Sequence, residues 1–315
     1  MIVYTTLFDS GYLDRAIALT RSFASHNADD VLLLGCMDAA SAAALAKMDL
    51  PGAKVLGPDS FIFGELLALK DGRNVAEFCW TTKPFLLSHV LDAYPDAEWA
   101  VYLDADSLVF GRISPALMGR NGFDCVFTPH NFAPTFAEFE ATAGRYNAGF
   151  AAFRNSKAGR AALVTWRGLC AGAVSSRPTE GAYGDQKYLE QLVEQFHVAP
   201  GVVHKGLNVA PWNVGRYCFT QKGTQVLVDG EELLFFHFQG FQPITCRLSL
   251  MYRGAYPLPE AVKKLVYRPY LAALGQARRM AGQHGVQHLL KFPGFRKSLR
   301  ALWGGRRNIA LILRD

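Results

Sequence analysis

The residues best placed to do chemistry are Asp104 and Asp106. They follow the apolar run Trp99-Ala100-Val101-Tyr102-Leu103 with only Ala105 between them, and a second apolar run, Leu108-Val109-Phe110, comes soon after. Two carboxylates at the carboxyl end of a buried strand stand where open α/β sheets bind their ligands. A turn there lets one carboxylate reach a divalent cation directly, while the other reaches it through water or binds a ribose. Hard cations such as Mg²⁺ and Mn²⁺ take oxygen ligands and are usually completed by phosphate groups. The same Asp-x-Asp is also what a plain turn with a helix cap would show. Alone, the pair leaves both readings open.

The elements that must position these residues are legible from hydrophobic periodicity. Ile2 to Leu7, Val31 to Met37 and Ala53 to Leu56 read as strands, alternating with helices over Leu13 to Ser25 and Ala39 to Met48. Thr81 to Tyr94 reads as a helix with Pro84 in its first turn, where proline is tolerated. This alternation predicts a mostly parallel sheet covered by helices. Residues 129–145, rich in Pro and aromatics, read as a loop or lid near the site. Beyond them come a strand over Gly149 to Phe153, a helix over Lys157 to Ala171, a loop from Ala173 to Gly184, a helix over Asp185 to Phe196 and a strand over Leu233 to Phe238. After Pro257 the pattern becomes short helical segments broken by Pro and Gly, which places a boundary near residue 258 between a body, 1–258, and a tail, 259–315.

Half of the 315 residues are hydrophobic and 19% are charged, which excludes a disordered chain. No apolar run approaches the roughly 20 residues needed to span a bilayer. The N-terminus enters a strand with no basic region or cleavage site ahead of it, so no secretion signal is read and a cytoplasmic location is expected. The six cysteines show no metal-like spacing and are expected as free, buried thiols. Charge is uneven. Residues 261–315 hold twelve Lys and Arg and a single acid, Asp315, against a mildly acidic body.

Further motifs join the Asp-Ala-Asp in order. They are Thr5-Thr6-Leu7-Phe8-Asp9-Ser10-Gly11-Tyr12, Tyr146-Asn147-Ala148-Gly149-Phe150, Gly184-Asp185-Gln186-Lys187-Tyr188, Asn208-Val209-Ala210-Pro211-Trp212-Asn213 and Phe236-His237-Phe238-Gln239-Gly240. Together they resemble a nucleotide-sugar glycosyltransferase of the GT-A fold, a Rossmann-like mixed sheet flanked by helices. The resemblance is to the retaining family 8 transferases and related bacterial nucleotide-diphospho-sugar transferases, over roughly residues 1–245. It implies Mn²⁺ (or Mg²⁺) held by Asp104, Asp106 and His237, with Gly240 letting backbone approach the diphosphate. It implies a donor site of Thr6, Asp9, Tyr12, Lys83, Asp104, Ala105, Asn147 and Gly240. The Tyr12 ring would stack on a uracil, Lys83 would neutralise diphosphate or contact the sugar, and Asn147 would bind sugar hydroxyls from a loop ahead of the Gly149 strand. Asp185 and Gln186 are the implied catalytic pair: Asp185 holds the donor sugar, or serves as a nucleophile, and Gln186 stabilises an oxocarbenium-like transition state. The departing diphosphate then acts as base, and the anomeric configuration is retained without a carboxylate nucleophile, unlike the usual retaining glycosidase.

One departure stands out. The resemblance leads one to expect a Lys three residues after Gly240, and position 243 is Pro. Lys83, Arg247 and Lys205 are the candidate replacements. The tail segment Lys291 to Trp303 interleaves cations with aromatics and leucines, a pattern suited to an anionic membrane surface. The expected partners are therefore a nucleotide-sugar donor, a glycan or lipid-linked acceptor and the cytoplasmic face of a membrane. Nucleic acid is not among them, because the acidic body offers no extended basic groove. Two other functions fit the sequence less well. A sugar-1-phosphate nucleotidyltransferase would want a glycine-rich basic loop after the first strand. A non-catalytic sugar-nucleotide or glycan-binding protein could dispense with the metal ligands kept here.

Overall fold

The computed structural model describes residues 1–118, 120, 122–178, 183–292 and 309–311. The chain runs β1 (Ile2–Phe8), α1 (Leu13–His26), β2 (Val31–Cys36), α2 (Ala39–Leu45), β3 (Ala53–Leu56), α3 (Gly64–Ala68), α4 (Val75–Ala93), β4 (Trp99–Leu103), β5 (Ser107–Val109), β6 (Cys125–Pro129) and β7 (Tyr146–Arg154). Six of these strands form one sheet in the order β3-β2-β1-β4-β7-β6. β1 lies parallel to β2 and β4, and β2 parallel to β3, while β7 runs antiparallel to both β4 and β6. The expected mixed, mostly parallel sheet is what forms.

Both faces of this sheet are covered, so its inner strands β2 and β4 are apolar throughout rather than alternating with polar residues. In β4, Trp99, Val101 and Leu103 enter one core with α1, while Ala100 and Tyr102 enter another with α4 and the helix Lys157–Gly172. All five are buried, which fixes the strand's register and therefore where its carboxyl end stops.

Several elements depart from expectation for local reasons. α4 starts at Val75, six residues ahead of Thr81, because Asn74 and Glu77 form a reciprocal capping box. Pro84 is thus in the helix interior, where it cannot donate to the carbonyl of Trp80. β7 starts at Tyr146 rather than Gly149, and the expected helix from Asp185 divides into a 3₁₀ turn, Gln186–Tyr188, and a helix, Leu189–Gln195. Of the late strand, Phe235–His237 pairs with β5. The region 129–145 holds a turn, Pro134–Phe136, and a short helix, Phe139–Ala143.

The helix Arg268–Gln283 and the strand Ile309–Leu311, both beyond residue 258, fold onto the body. The helix Arg268–Gln283 packs on α1, and Tyr267, Tyr270, Leu274 and Ala277 are fully buried in the same core as β4. The strand Ile309–Leu311 pairs with Leu248–Leu250. Of the cation- and aromatic-rich segment, residues 293–303 lie outside the described residues. No described helix is long and apolar enough to cross a membrane. All six cysteines are free, but Cys218 and Cys246 are exposed rather than buried.

The seam between α1 and the helix Arg268–Gln283 contains one buried ion pair. Arg278 donates through Nε to Asp14 at 2.7 Å, both side chains are 8% exposed, and the same guanidinium donates to the Cys246 carbonyl at 2.8 Å. Removing one partner strands the other charge in a low-dielectric seam. Asp14→Ala should cost about 3–5 kcal/mol in urea denaturation. The double variant Asp14→Leu/Arg278→Met should recover most of that loss.

Candidate active site

The carboxyl end of β4 opens onto a cavity of about 1050 Å³. Backbone hydrogen bonds hold its floor. Asp104 donates its N–H to the Gly149 carbonyl at 3.0 Å, and Phe238 donates to the Asp106 carbonyl at 2.8 Å. Pairing of Phe235–His237 with β5 sets His237 opposite Ser107, beside Asp106. His237 Nε2 is 3.3 Å from Asp106 Oδ1 and 3.7 Å from Asp104 Oδ2. One ligand atom from each of the three residues lies within 4.8 Å of the other two, a set able to hold a metal ion. Burial alone would lower the pKa of His237, but Asp106 reverses that and raises it. Burial would raise Asp106, and His237 outweighs it and draws it down.

Two glycines make this approach possible. A Cβ on Gly149 would lie 2.5 Å from His237 Nδ1 and 2.6 Å from Asn147 Oδ1, so a side chain there would displace the imidazole. Gly240 turns the chain after His237 at φ +77°, a conformation in which L side chains are strained.

Lys83 reaches the cavity floor from the middle of α4 and is 3% exposed. Its Nζ lies 3.1 Å from Asp104 Oδ1 and 3.2 Å from Asp185 Oδ2, and 4.7 Å from the centre of the Tyr102 ring. Burial by itself would lower the ammonium's pKa, but the carboxylates of Asp104 and Asp185 outweigh it and hold it above the usual lysine range. Burial pushes the Asp185 carboxyl up to about 6, with Lys83 pulling against it and Asp104 adding to it. Lys83 lines the cavity; Lys205 and Arg247 do not. Lys205 instead approaches Glu231 at 3.6 Å, and Arg247 is exposed.

The other expected residues divide into two groups. Asp9, Tyr12, Ala105, Asn147, Gln186 and Gly240 line the cavity with Asp104, Asp106 and His237. Thr6 does not: it is fully buried within β1. Asn147 lies within β7 rather than in a loop, and its amide is fully used inside the protein. Its Nδ2 donates to Gln186 Oε1 at 3.1 Å and lies 3.3 Å from His130 Nε2, while its Oδ1 accepts from Gly149 N–H and Asn208 Nδ2. Gln186 is fixed at its other end by donating from Nε2 to the Ala143 carbonyl at 2.8 Å. Asp38, His130 and Trp212 also line the cavity and were missed as site residues. Asp38 caps α2 and accepts the N–H of Ser10 at 2.7 Å, tying the loop after β1 to the loop after β2. Nothing in the local sequence separates that cap from any other.

No protein-family model matches the chain. It is 30% identical over 249 residues to "Uncharacterized protein YfnF" of Bacillus subtilis (strain 168), covering 77% of this chain and 82% of that protein. It is 34% identical over 215 residues to "Uncharacterized protein YfnD" of the same strain, covering 67% of this chain and 68% of that protein. Among solved structures it is similar to the galactosyltransferase LgtC in complex with donor and acceptor sugar analogues. That similarity has a TM-score of 0.51 and 14% identity, across 93% of this chain and 98% of that one. An active-site mutant of LgtC gives a TM-score of 0.52 at 14% identity, across 90% and 96%. Likeness at this level shows the fold, and the fold is GT-A.

His130 supplies a pH test of the cavity wall. Its Nδ1 lies 2.8 Å from the Gly144 carbonyl, and the neutral tautomer that donates there leaves Nε2 to accept from Asn147. Burial lowers its pKa from 6.5 to about 4. The folded state therefore binds this proton more weakly than the unfolded chain, so the contribution is present above pH 6.5 and lost as pH falls toward 4. Over that window stability should fall by up to about 3 kcal/mol. Denaturation of His130→Gln across the same pH range should show this part of the slope removed.

Proposed function

The chain belongs to the family of Bacillus subtilis YfnF and YfnD, and from its GT-A fold and the site at the end of β4 we propose that it is a metal-dependent glycosyltransferase. In this reading it moves a sugar from a nucleotide diphosphate, a UDP-sugar, to a glycan or lipid-linked acceptor with retention of anomeric configuration. The observation that carries the reading is the convergence of Asp104, Asp106 and His237 on one point at the end of β4, on a cavity that Asp185 and Gln186 also line.

The donor set fits a divalent cation. Two carboxylate oxygens and one imidazole nitrogen suit Mn²⁺ somewhat better than Mg²⁺, which prefers oxygen alone. A cation bound there would neutralise charge on the diphosphate leaving group. The chain's own residues do the rest. Tyr12, 42% exposed, offers its ring to the nucleobase, and Asp9 lies in the same loop toward the base and ribose. Lys83 and Asp185 hold the sugar, with the Lys83 ammonium placed between the Asp104 and Asp185 carboxylates. Gln186, fixed by Asn147 and the Ala143 carbonyl, turns its amide oxygen toward the positive charge that develops on the anomeric carbon. Asp185 is less suited to nucleophilic attack, since its carboxylate is buried against Lys83. The acceptor's proton then passes to the departing diphosphate.

Mass spectrometry of purified protein with Mn²⁺ and a panel of nucleotide sugars tests this, with NMR of the product's anomeric centre fixing the stereochemistry. Asp104→Ala should abolish turnover, and Gln186→Ala should lower kcat by about 100-fold with little effect on donor binding. If no nucleotide sugar is bound, hydrolysed or transferred, the reading fails. Attachment to an anionic membrane surface through residues 291–303 rests on the sequence charge of that segment. Glutamine at Arg296, Lys297 and Arg300 should release the protein from anionic liposomes in sedimentation; equal binding of wild type to neutral liposomes would sink this part.

A further inference from the structure

Arg15, the third residue of α1, is 5% exposed. A guanidinium buried to that degree ordinarily has a carboxylate partner. Among the described residues Arg15 forms no ion pair. Its hydrogen bond is a long one, from Nη1 to the Gly11 carbonyl at 3.4 Å, and its Nε has no partner. The carboxylates of Asp14 and Asp106 act on it from beyond ion-pair distance, and its close side-chain contacts are aromatic. The guanidinium carbon lies 4.2 Å from the centre of the Tyr12 ring and 5.8 Å from that of Phe241.

Those two rings belong to the two loops that matter most to the cavity. Tyr12 ends the loop after β1, and Phe241 follows the Gly240 turn that leaves His237. A planar, weakly hydrated guanidinium can stack against a ring in a dry setting, which the compact ammonium of Lys cannot reproduce. Tyr12 is a large, half-exposed side chain on the cavity wall. A ring left free would lose rotamer freedom each time a base stacked on it, weakening binding.

We propose that Arg15 is a positioning residue for nucleotide binding. Its guanidinium backs the inner face of Tyr12, holds the outer face toward the cavity as a fixed platform for a base, and ties that platform to the Phe241 turn. This rests on the reading of the cavity as a nucleotide site. It adds a residue that lies behind the cavity wall rather than on it, and assigns it through the base instead of the phosphates.

Calorimetric titration of UMP and UDP, with Mn²⁺ present, separates the alternatives. Arg15→Met and Arg15→Lys should both lose affinity for the two nucleotides by the same factor, on the order of tenfold, because the loss lies in the shared base. In a double-mutant cycle Arg15→Met should add little to the loss already caused by Tyr12→Leu. The proposal is overturned if folded Arg15 variants bind both nucleotides as wild type does, or if the loss is confined to UDP. Full rescue by Lys overturns it too, since charge alone would then suffice. If Arg15→Met does not fold, Arg15→Lys and the Tyr12→Leu cycle built on it decide. Failure of wild type to bind either nucleotide would instead overturn the nucleotide reading itself.

Discussion

Asp104, Asp106 and Asp185 gather on the floor of one cavity, where water is scarce on the inner side and mutual repulsion is weakly screened. Lys83 is what permits it. Its ammonium lies within 3.2 Å of both Asp104 and Asp185, and the imidazole of His237 faces Asp106. Without a cation between them, one of two nearby buried carboxylates tends to take up a proton and cease to be a good ligand. Burial pushes the Asp185 carboxyl up even beside Lys83, which is the direction this repulsion predicts. A divalent ion would share the same task, which is one reason the donor set looks built for one.

Everything around that pairing serves to bring it about. Lys83 comes from the helix covering one face of the sheet, Asp104 from the end of a central strand, and Asp185 from the start of a 3₁₀ turn far along the chain. α4 must cross the sheet at one height for a lysine in its middle to meet the end of β4. β5 must pair with Phe235–His237 in one register for His237 to stand beside Asp106. Gly149 is needed where it is because any side chain would occupy the place of the imidazole ring.

The alternating elements of the first half were readable because both periods, 2 and 3.6, are clear there. The strand ending at Leu103 and the carboxylates of Asp104 and Asp106 were readable for the same reason, since an apolar run stops abruptly at charged residues; His237 stands inside an apolar run and was read only through the resemblance of its motif. α4's true start was missed because its first turn is exposed and mixed in character, and the capping box of Asn74 and Glu77 is a subtler signal than the apolar run behind it. Thr6 was implied as a donor-site residue by the resemblance, yet in β1 it is fully buried and does not line the cavity. Asn147 lines the cavity, but its neighbours claim all of its hydrogen bonds.

By itself the sequence determined the class of sheet and the two carboxylates that follow β4, because strand ends and buried runs are written in neighbouring residues. The histidine, the lysine and the aspartate–glutamine pair entered through the resemblance of their motifs to a known family, not through local pattern. Only the tertiary structure decided which of them meet. It set Lys83 between two carboxylates, kept Thr6 from the cavity wall, made Asn147 a brace for Gln186, and put Arg15 between Tyr12 and Phe241. Such pairings depend on register and on the crossing of helices over the sheet, and contacts between residues far apart in the chain leave no periodic trace in one sequence.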